Sequence, residues 1–344
     1  MHNRPRWTLI HARLHRTLRQ RRLLPKQQRV LMAVSGGQDS LCLAKLLLDL
    51  QPKWEWQLAI AHCDHRWAAD VGLAEHVRQV AQSLGLPFYL KTAVEISKGE
   101  AAARQWRYQA LGEVAKTNGY QSLVTAHTKS DLAETLLYNL IRGAGADGLQ
   151  ALTWQRQLTN ELKLVRPLLE ISRSETSMFC QENHLEVWED FYNQDLRYAR
   201  NRIRKEVLPY LESHFNPQVE TALSQTAELL RADVEYLEAQ AYQLLQQAIL
   251  PIRSAEQDNM ERTSDTAKIL RLNRYVLQQA PLSLQRRAIR QFLQKVQKSA
   301  SNFEQIEAMI VLITAPNRSQ TSSFPQGARA FVEGDWIIFQ VEGN

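Results

Sequence analysis

The sequence predicts an α/β protein: a parallel sheet covered by helices, followed by a mainly helical C-terminal domain. Three observations carry that expectation. Short apolar runs of strand length alternate with segments of helical length and period through the first half of the chain. The turn Ser35-Gly36-Gly37-Gln38-Asp39-Ser40 joins the first such run to the first such segment. From Pro217 onward the pattern changes to long apolar-periodic stretches. A chain of 344 residues suits two domains, at roughly 100–200 residues each.

Taken in order, residues 1–28 predict a basic N-terminal helix. No acidic residue precedes Asp39, whereas Arg4, Arg6, Arg13, Arg16, Arg19, Arg21, Arg22, Lys26 and Arg29 do. Such a block suits nucleic-acid contact. An organellar transit peptide is also Arg-rich and acid-poor. The stretch lacks serine, however, and Ile10, Leu14 and Leu18 form an i, i+4 stripe, which favours a helix packed on the domain. Residues 29–214 predict the catalytic α/β domain. Its strands are expected at Val30–Val34, Leu58–His65, Phe88–Leu90 and Ser122–Ala126, with helices at Leu41–Leu47, Asp70–Gly85, Glu100–Lys116 and Thr128–Ile141. A hairpin is expected at Thr153–Leu158 and Glu161–Val165, then a helix opened by the capping box Ser172-x-x-Glu175. Residues 215–344 predict the helical domain: Val219–Leu250, Leu282–Val296, Asn302–Ile313, a polar connection at Arg253–Thr266 and a terminal hairpin around Gly334-Asp335.

Composition narrows the function class. Apolar content of 44% and charged content of 23% are ordinary for a globular protein. No segment approaches the ~20 apolar residues of a membrane span, so no membrane partner is expected. Cys42, Cys63 and Cys180 are scattered, which opposes a disulfide framework and a cysteine-rich metal site. The run His62-Cys63-Asp64-His65 reads as a strand end rather than a metal cluster, and the chain as a cytoplasmic protein with reduced thiols.

The Ser35–Ser40 turn sits where a strand passes into a helix. Its glycines allow close backbone approach, and free N–H groups at the helix start favour an anion. It reads as a phosphate cradle, with an ordinary capped Gly-Gly turn as the plain alternative. It is not a Walker A loop, since it carries Asp39 and no lysine. An acid beside a phosphate implies Mg²⁺ between them. In parallel sheets ligands bind beyond the carboxyl ends of the strands, which would collect Ser35, the segment His62–Arg66 and His127. Asp131 and Glu134 lie three apart on one helix face and suit an ammonium group, although Asp131 also fits a capping box with Thr128.

The Ser35–Ser40 stretch resembles the S-G-G-x-D-S signature of the pyrophosphate-loop ATP pyrophosphatases, whose fold is adenine nucleotide α-hydrolase-like. Further blocks narrow the resemblance: AHCDHRW at 61–67, EAAARQWRYQAL at 100–111, AHTKSDLAETLLYNLIRGAGADGL at 126–149, and 188–208 with Asp190, Asn193, Asp195, Tyr198 and Arg200 to Arg204. Together they resemble the tRNA(Ile)-lysidine synthases, almost continuously over residues 29–210. The resemblance implies ligation of free L-lysine to C2 of the wobble cytidine of tRNA(Ile) with a CAU anticodon. ATP and Mg²⁺ serve the reaction, and codon reading switches from AUG to AUA. It further implies that Ser35, Gly36, Gly37, Gln38, Asp39, Ser40 and His65 hold the nucleotide, with Asp39 on the metal. Asp39, Arg104, Arg107, His127, Asp131 and Glu134 would be catalytic. Asp131, Glu134, Arg200, Asn201, Arg202 and Arg204 would contact lysine or tRNA. A homodimer is the oligomer it suggests. Two departures stand out: Thr128 replaces a second histidine after His127, and Ser130-Asp131-Leu132 keeps one acid of a pair. Set beside the longer members, the resemblance leads one to expect no counterpart here of their extra C-terminal domain. The rival readings are a tRNA thiolase, a small-molecule amidating ligase and a non-catalytic RNA-binding relative.

Overall fold

The computed structural model describes residues 7–95, 99–188, 195–249, 269–297, 301–321, 324 and 327–340. Arg4, Arg6, Asp190, Asn193 and the expected connection at 253–266 lie outside them. The chain divides into two compact units, Met1–Leu230 and Arg231–Asn344.

The first unit is built on a six-stranded sheet: β1 (Arg29–Ala33), β2 (Gln57–Asp64), β3 (Phe88–Thr92), β4 (Ser122–Val124), β5 (Gln155–Gln157) and β6 (Lys163–Val165). The order is β3-β2-β1-β4-β6-β5, parallel except for β5 at one edge. Six helices matter for the site: α1 (Leu9–Gln20), α2 (Gln38–Trp54), α3 (Leu73–Ser83), α4 (Glu100–Thr117), α5 (Lys129–Ile141) and, after the short α6 (Ala146–Leu149), α7 (Arg173–Glu182). The period-two alternation of the strands sorts the two faces. Val30, Met32, Leu58, Ile60 and Val124 join one core with residues of α1, α2, α3 and α7. Leu31, Ala59, Ala61, Leu123 and Leu164 join the other with Leu111, Val114 and Ala115 of α4.

Leu14 and Leu18 of α1 are fully buried, so the N-terminal stripe docks this helix on the domain. Two of its neighbouring arginines are tied down internally. Arg13 donates to Glu175 at 2.5 Å and Arg21 to Glu228 at 2.6 Å. Part of the basic block is thus structural, not a free surface for nucleic acid.

Two expectations change on folding. The helix expected at Asp70–Gly85 splits into a 3₁₀ turn at Ala68–Asp70 and α3, because Gly72 takes φ +93° and interrupts it. The expected hairpin exists, but β6 also pairs in parallel with β4 and so belongs to the main sheet. After α8 (Ala199–Arg202), a π-helical stretch Ile203–Val207 continues into α9 (Leu208–His214).

The second unit takes over within α10 (Val219–Ala248). It packs α10, α11 (Arg274–Gln278), α12 (Leu282–Val296) and α13 (Phe303–Thr314) around a three-stranded sheet of order β7-β9-β8. The terminal hairpin is β8 (Arg329–Glu333) with β9 (Trp336–Gln340). Strand β7 (Ile269–Asn273) was not expected: its partner, β9, lies far along the chain, so no local pattern announces the pairing.

Candidate active site

From β1 the chain moves outward to β2 and β3, then returns to lay β4 on the other side of β1. The crevice beyond the carboxyl ends of β1 and β4 is therefore the topological switch point of the sheet, where ligands of such folds bind. Ser35–Ser40 follows β1, and Thr125–Thr128 follows β4.

The loop is held from within. The Ser35 N–H donates to Ser40 Oγ at 3.2 Å, and that hydroxyl donates to the Gly37 carbonyl at 2.8 Å. Gly36 takes φ +88°, and a Cβ there would meet Leu73 Cδ1 at 2.6 Å, so only glycine fits. Its carbonyl accepts from the Trp188 N–H at 3.0 Å. The N–H groups of Gly36, Gly37, Gln38 and Asp39 meet no acceptor among the described residues. They form the donor set that a phosphate would take. The Gln38 side chain does not join them: its amide donates to the Arg173 carbonyl at 2.8 Å and ties the loop to α7.

Three carboxylates meet around one guanidinium. Arg173 donates to Asp39 at 3.1 Å, to Asp131 at 2.9 Å and to Glu134 at 3.2 Å. Arg204 forks onto Glu134 at 2.6 and 2.8 Å and lies 3.7 Å from Asp131. Thr176 donates to Asp39. The local sequence explains the placing of each acid. Asp39 is in the first turn of α2, and Asp131 closes the capping box at the start of α5, taking the Thr128 N–H at 2.8 Å. Glu134 lies one turn further along. Burial raises the Asp39 and Glu134 carboxyls above the usual range, against the pull of the arginines. Asp131 is driven the other way: burial opposes, but Arg173, His127 and the Thr128 hydrogen bonds hold it down.

A second cluster lies beyond β6 and along α4. Arg104, Arg107 and Arg156 stand 5.5, 6.0 and 5.3 Å from the Tyr108 ring centroid. Arg166, at the carboxyl end of β6, is only 3% exposed and donates to the Thr153 carbonyl at 2.7 Å. None of these four arginines forms an ion pair among the residues whose side chains are described; the side chain of Glu100, the plain alternative partner for Arg104 and Arg107, lies outside them. His127 stands between the clusters, its Nδ1 3.0 Å from Thr125 Oγ1. Burial and the charges of Arg166, Arg104 and Arg107 keep it neutral, against Asp131. His65 stacks on Trp67 at 4.8 Å and meets Trp106 edge-on at 4.7 Å. Burial, Arg107 and His62 push it down to about 4.

The basic segment after residue 195 does not act as one patch. Arg204 enters the acid cluster. Buried Asn201 instead donates to the Asp195 carbonyl at 2.9 Å, and Arg200 lies 5.7 Å over the Tyr138 ring. Arg202 is exposed and caps the Leu196 carbonyl at 3.0 Å. The sequence reading missed Arg173, Thr176, Arg156 and Arg166. One signal was available for Arg173: a cation in the first turn of a helix opposes the helix dipole and calls for a compensating acid.

Residues 8–211 match the PP-loop domain model, which covers more than half of the chain. A tRNA(Ile)-lysidine synthase of Nostoc sp. is 60% identical over 335 residues, 97% of each chain. The chain belongs to the tRNA(Ile)-lysidine synthase family. The Synechocystis sp. member is 50% identical over 98% of this chain and 99% of its own length. A member from Zygnema circumcarinatum, described as chloroplastic, is 33% identical over 90% of this chain and 81% of its own. Among solved structures, a U34-tRNA thiolase from Methanococcus maripaludis with its [4Fe-4S] cluster superposes with a TM-score of 0.55 at 18% identity. It covers 64% of this chain and 77% of its own, a likeness of fold alone. In this family member the loop is that of an ATP-binding domain. Burial raises all three thiols, Cys63 to about 12 and Cys180 to about 11.

Among the described residues no group of three acids, histidines or cysteines is arranged to cage a metal. One carboxylate beside a phosphate loop nevertheless suits Mg²⁺, which keeps waters and binds chiefly through substrate phosphates. Asp39 is that carboxylate, and it would yield an oxygen now taken by Arg173 or Thr176.

Proposed function

We propose that this family member ligates L-lysine to C2 of the wobble cytidine of tRNA(Ile) bearing a CAU anticodon. The observation that carries the reading is the juxtaposition of a phosphate loop with free N–H donors and an acid cluster already holding a cation. The cytosine O2 attacks the α-phosphorus of ATP, and the bond to the β-phosphate breaks, releasing pyrophosphate. Lysine's side-chain amine then attacks C2; the C2–O bond breaks, AMP leaves and one proton is lost. Oxygen at C2 is a poor leaving group, and adenylation cures that.

The loop N–H groups and Ser35, Ser40 and His65 support nucleotide binding. Mg²⁺ held at Asp39 would neutralise phosphate charge. Arg104 and Arg107 are suited to the charge that develops on phosphate during adenylation. Asp131 and Glu134 hold lysine. Three carboxylates against two guanidiniums leave a net charge of −1, room for one ammonium. A carboxylate that grips the attacking amine raises its pKa, so the acids grip the α-ammonium while one accepts the proton released at C2. Neutral His127 would serve as a hydrogen-bond partner rather than a charge. Arg200, Asn201 and Arg202 support the RNA-binding segment, and residues 215–344 form a tRNA-binding domain. The working form is a cytoplasmic protein, in a homodimer.

The test supplies labelled lysine, ATP, Mg²⁺ and tRNA(Ile) with a CAU anticodon, with methionine tRNAs as controls. Label is expected in the isoleucine tRNA alone, and Asp39→Ala should abolish AMP formation. Absence of label from that tRNA would sink the reading. Sedimentation would test the dimer.

A further inference from the structure

Among the residues whose side chains are described, no carboxylate pairs with the arginine cluster around Tyr108. Arg166 is almost wholly buried, and its Nε has no hydrogen-bond partner. The buried Tyr108 hydroxyl lies against the Arg166 guanidinium, which helps to hold the phenol low. Arg104 and Arg107 approach the same ring from α4, and exposed Arg156 opens the cluster to solvent. Four like charges gathered around one buried phenol, with the Arg166 Nε unpartnered, are costly to assemble unless an anion completes the set. Guanidinium forks and a phenol are the donors that phosphate oxygens take.

The cluster is distinct from the glycine loop. The loop follows β1, whereas Arg166 ends β6, with β4 between them, so roughly 10 Å of sheet separates the two at ~4.8 Å per strand. A nucleotide seated on the loop and met by Arg104 and Arg107 leaves Arg156 and Arg166, on and after the two strands beyond β4, free for a second phosphate. We propose that Arg156 and Arg166, with the Tyr108 hydroxyl, form a phosphodiester site that grips the RNA backbone beside the base being modified, next to the Arg104 and Arg107 pair that serves adenylation. The low position of the Tyr108 phenol fits this: burial opposes it, but Arg104, Arg166 and Arg107 prevail, and the field that lowers it draws an anion. The inference deepens the proposed function, since it rests on RNA being the substrate.

The test measures binding of an anticodon stem-loop RNA by fluorescence anisotropy between 50 and 200 mM salt, using the full chain. Arg156→Gln should weaken binding by about 3–10-fold and lower the log–log salt slope by about 1, the value of one lost phosphate contact. Arg166→Gln should do the same, and Tyr108→Phe should weaken binding about threefold with the slope kept. ATP affinity without RNA should be unchanged in each. Unchanged RNA affinity and slope in Arg156→Gln would overturn the proposal, as would an equal loss of ATP binding, which would assign the cluster to the nucleotide. Because Arg156 is exposed, its variant decides the matter even if Arg166→Gln does not fold. Lysine transfer by the unmodified protein is measured separately. If transfer succeeds while the variants bind RNA normally, this inference alone fails. If transfer fails, the proposed function fails.

Discussion

The two charged clusters at the carboxyl end of the sheet follow opposite plans. The acid cluster is closed on itself: Asp39, Asp131 and Glu134 each have a guanidinium within 3.2 Å. Among the described side chains no acid answers the arginine cluster, although Arg166 is as buried as Glu134, each 3% exposed. A closed cluster supports the fold and accepts a ligand by exchanging one cation for another. An open cluster weakens the fold and is completed by the ligand. The carboxyl end of the sheet thus carries one cluster rich in acids and one rich in arginines, with neutral His127 near both.

The comparison breaks most readily at Arg173. Arg173→Met would leave three acids with one arginine, and losing one side of a buried pair costs about 3–5 kcal/mol. Urea unfolding should show that loss, with Arg173→Lys intermediate because an ammonium cannot span three acceptors. Stability equal to the unmodified protein would end the idea of a clamp. Glu134→Gln sharpens the role of the acid cluster. Lysine transfer should fall ~10²-fold, about 2.7 kcal/mol, while pyrophosphate release changes little. Equal loss of both steps would remove the division of labour between loop and acids.

A smaller matched pair tests the electrostatics away from the site. Asp49 meets His11 of α1 at 3.2 Å and Lys45 at 2.5 Å. Burial raises its carboxyl, but these hydrogen bonds outweigh it and the net shift is downward. Its contribution is therefore complete above the unfolded-state value, about 3.9, and is lost as pH falls through the lower folded value. Asp49→Asn should cost about 1–2 kcal/mol at pH 7 and flatten the acid limb of the stability profile. An acid limb as steep as before would show that other carboxylates control it. The smallest effect is expected at Arg166, where the open plan predicts the reverse of Arg173. Arg166→Met should change stability by no more than about 1 kcal/mol, as lost hydrogen bonds to Thr153 offset relieved repulsion. A loss comparable to that of Arg173→Met would mean that the charge is answered within the fold.

Much of the candidate site was legible because it is local. The Ser35–Ser40 turn, its place between strand and helix, and the Thr128–Asp131 capping box all follow from residues a few positions apart. Arg13 and Arg21 misled for the opposite reason. In sequence they belong to an acid-free block, yet Arg13 meets Glu175 across 162 positions and Arg21 meets Glu228 across 207. Arg200, Asn201, Arg202 and Arg204 read as one motif, but helical geometry turns them to different surroundings.

By itself the sequence determined the alternating strands and helices, the glycine loop and the family, since periodicity, turn chemistry and motif spacing are properties of neighbouring residues. Only the tertiary structure decided that Arg173 joins three acids, one of them 134 positions away, and that Arg166 stands buried with no acid beside it among the described residues. Partnership between charges depends on which strand ends the sheet order brings side by side, and that order is set by packing over the whole domain.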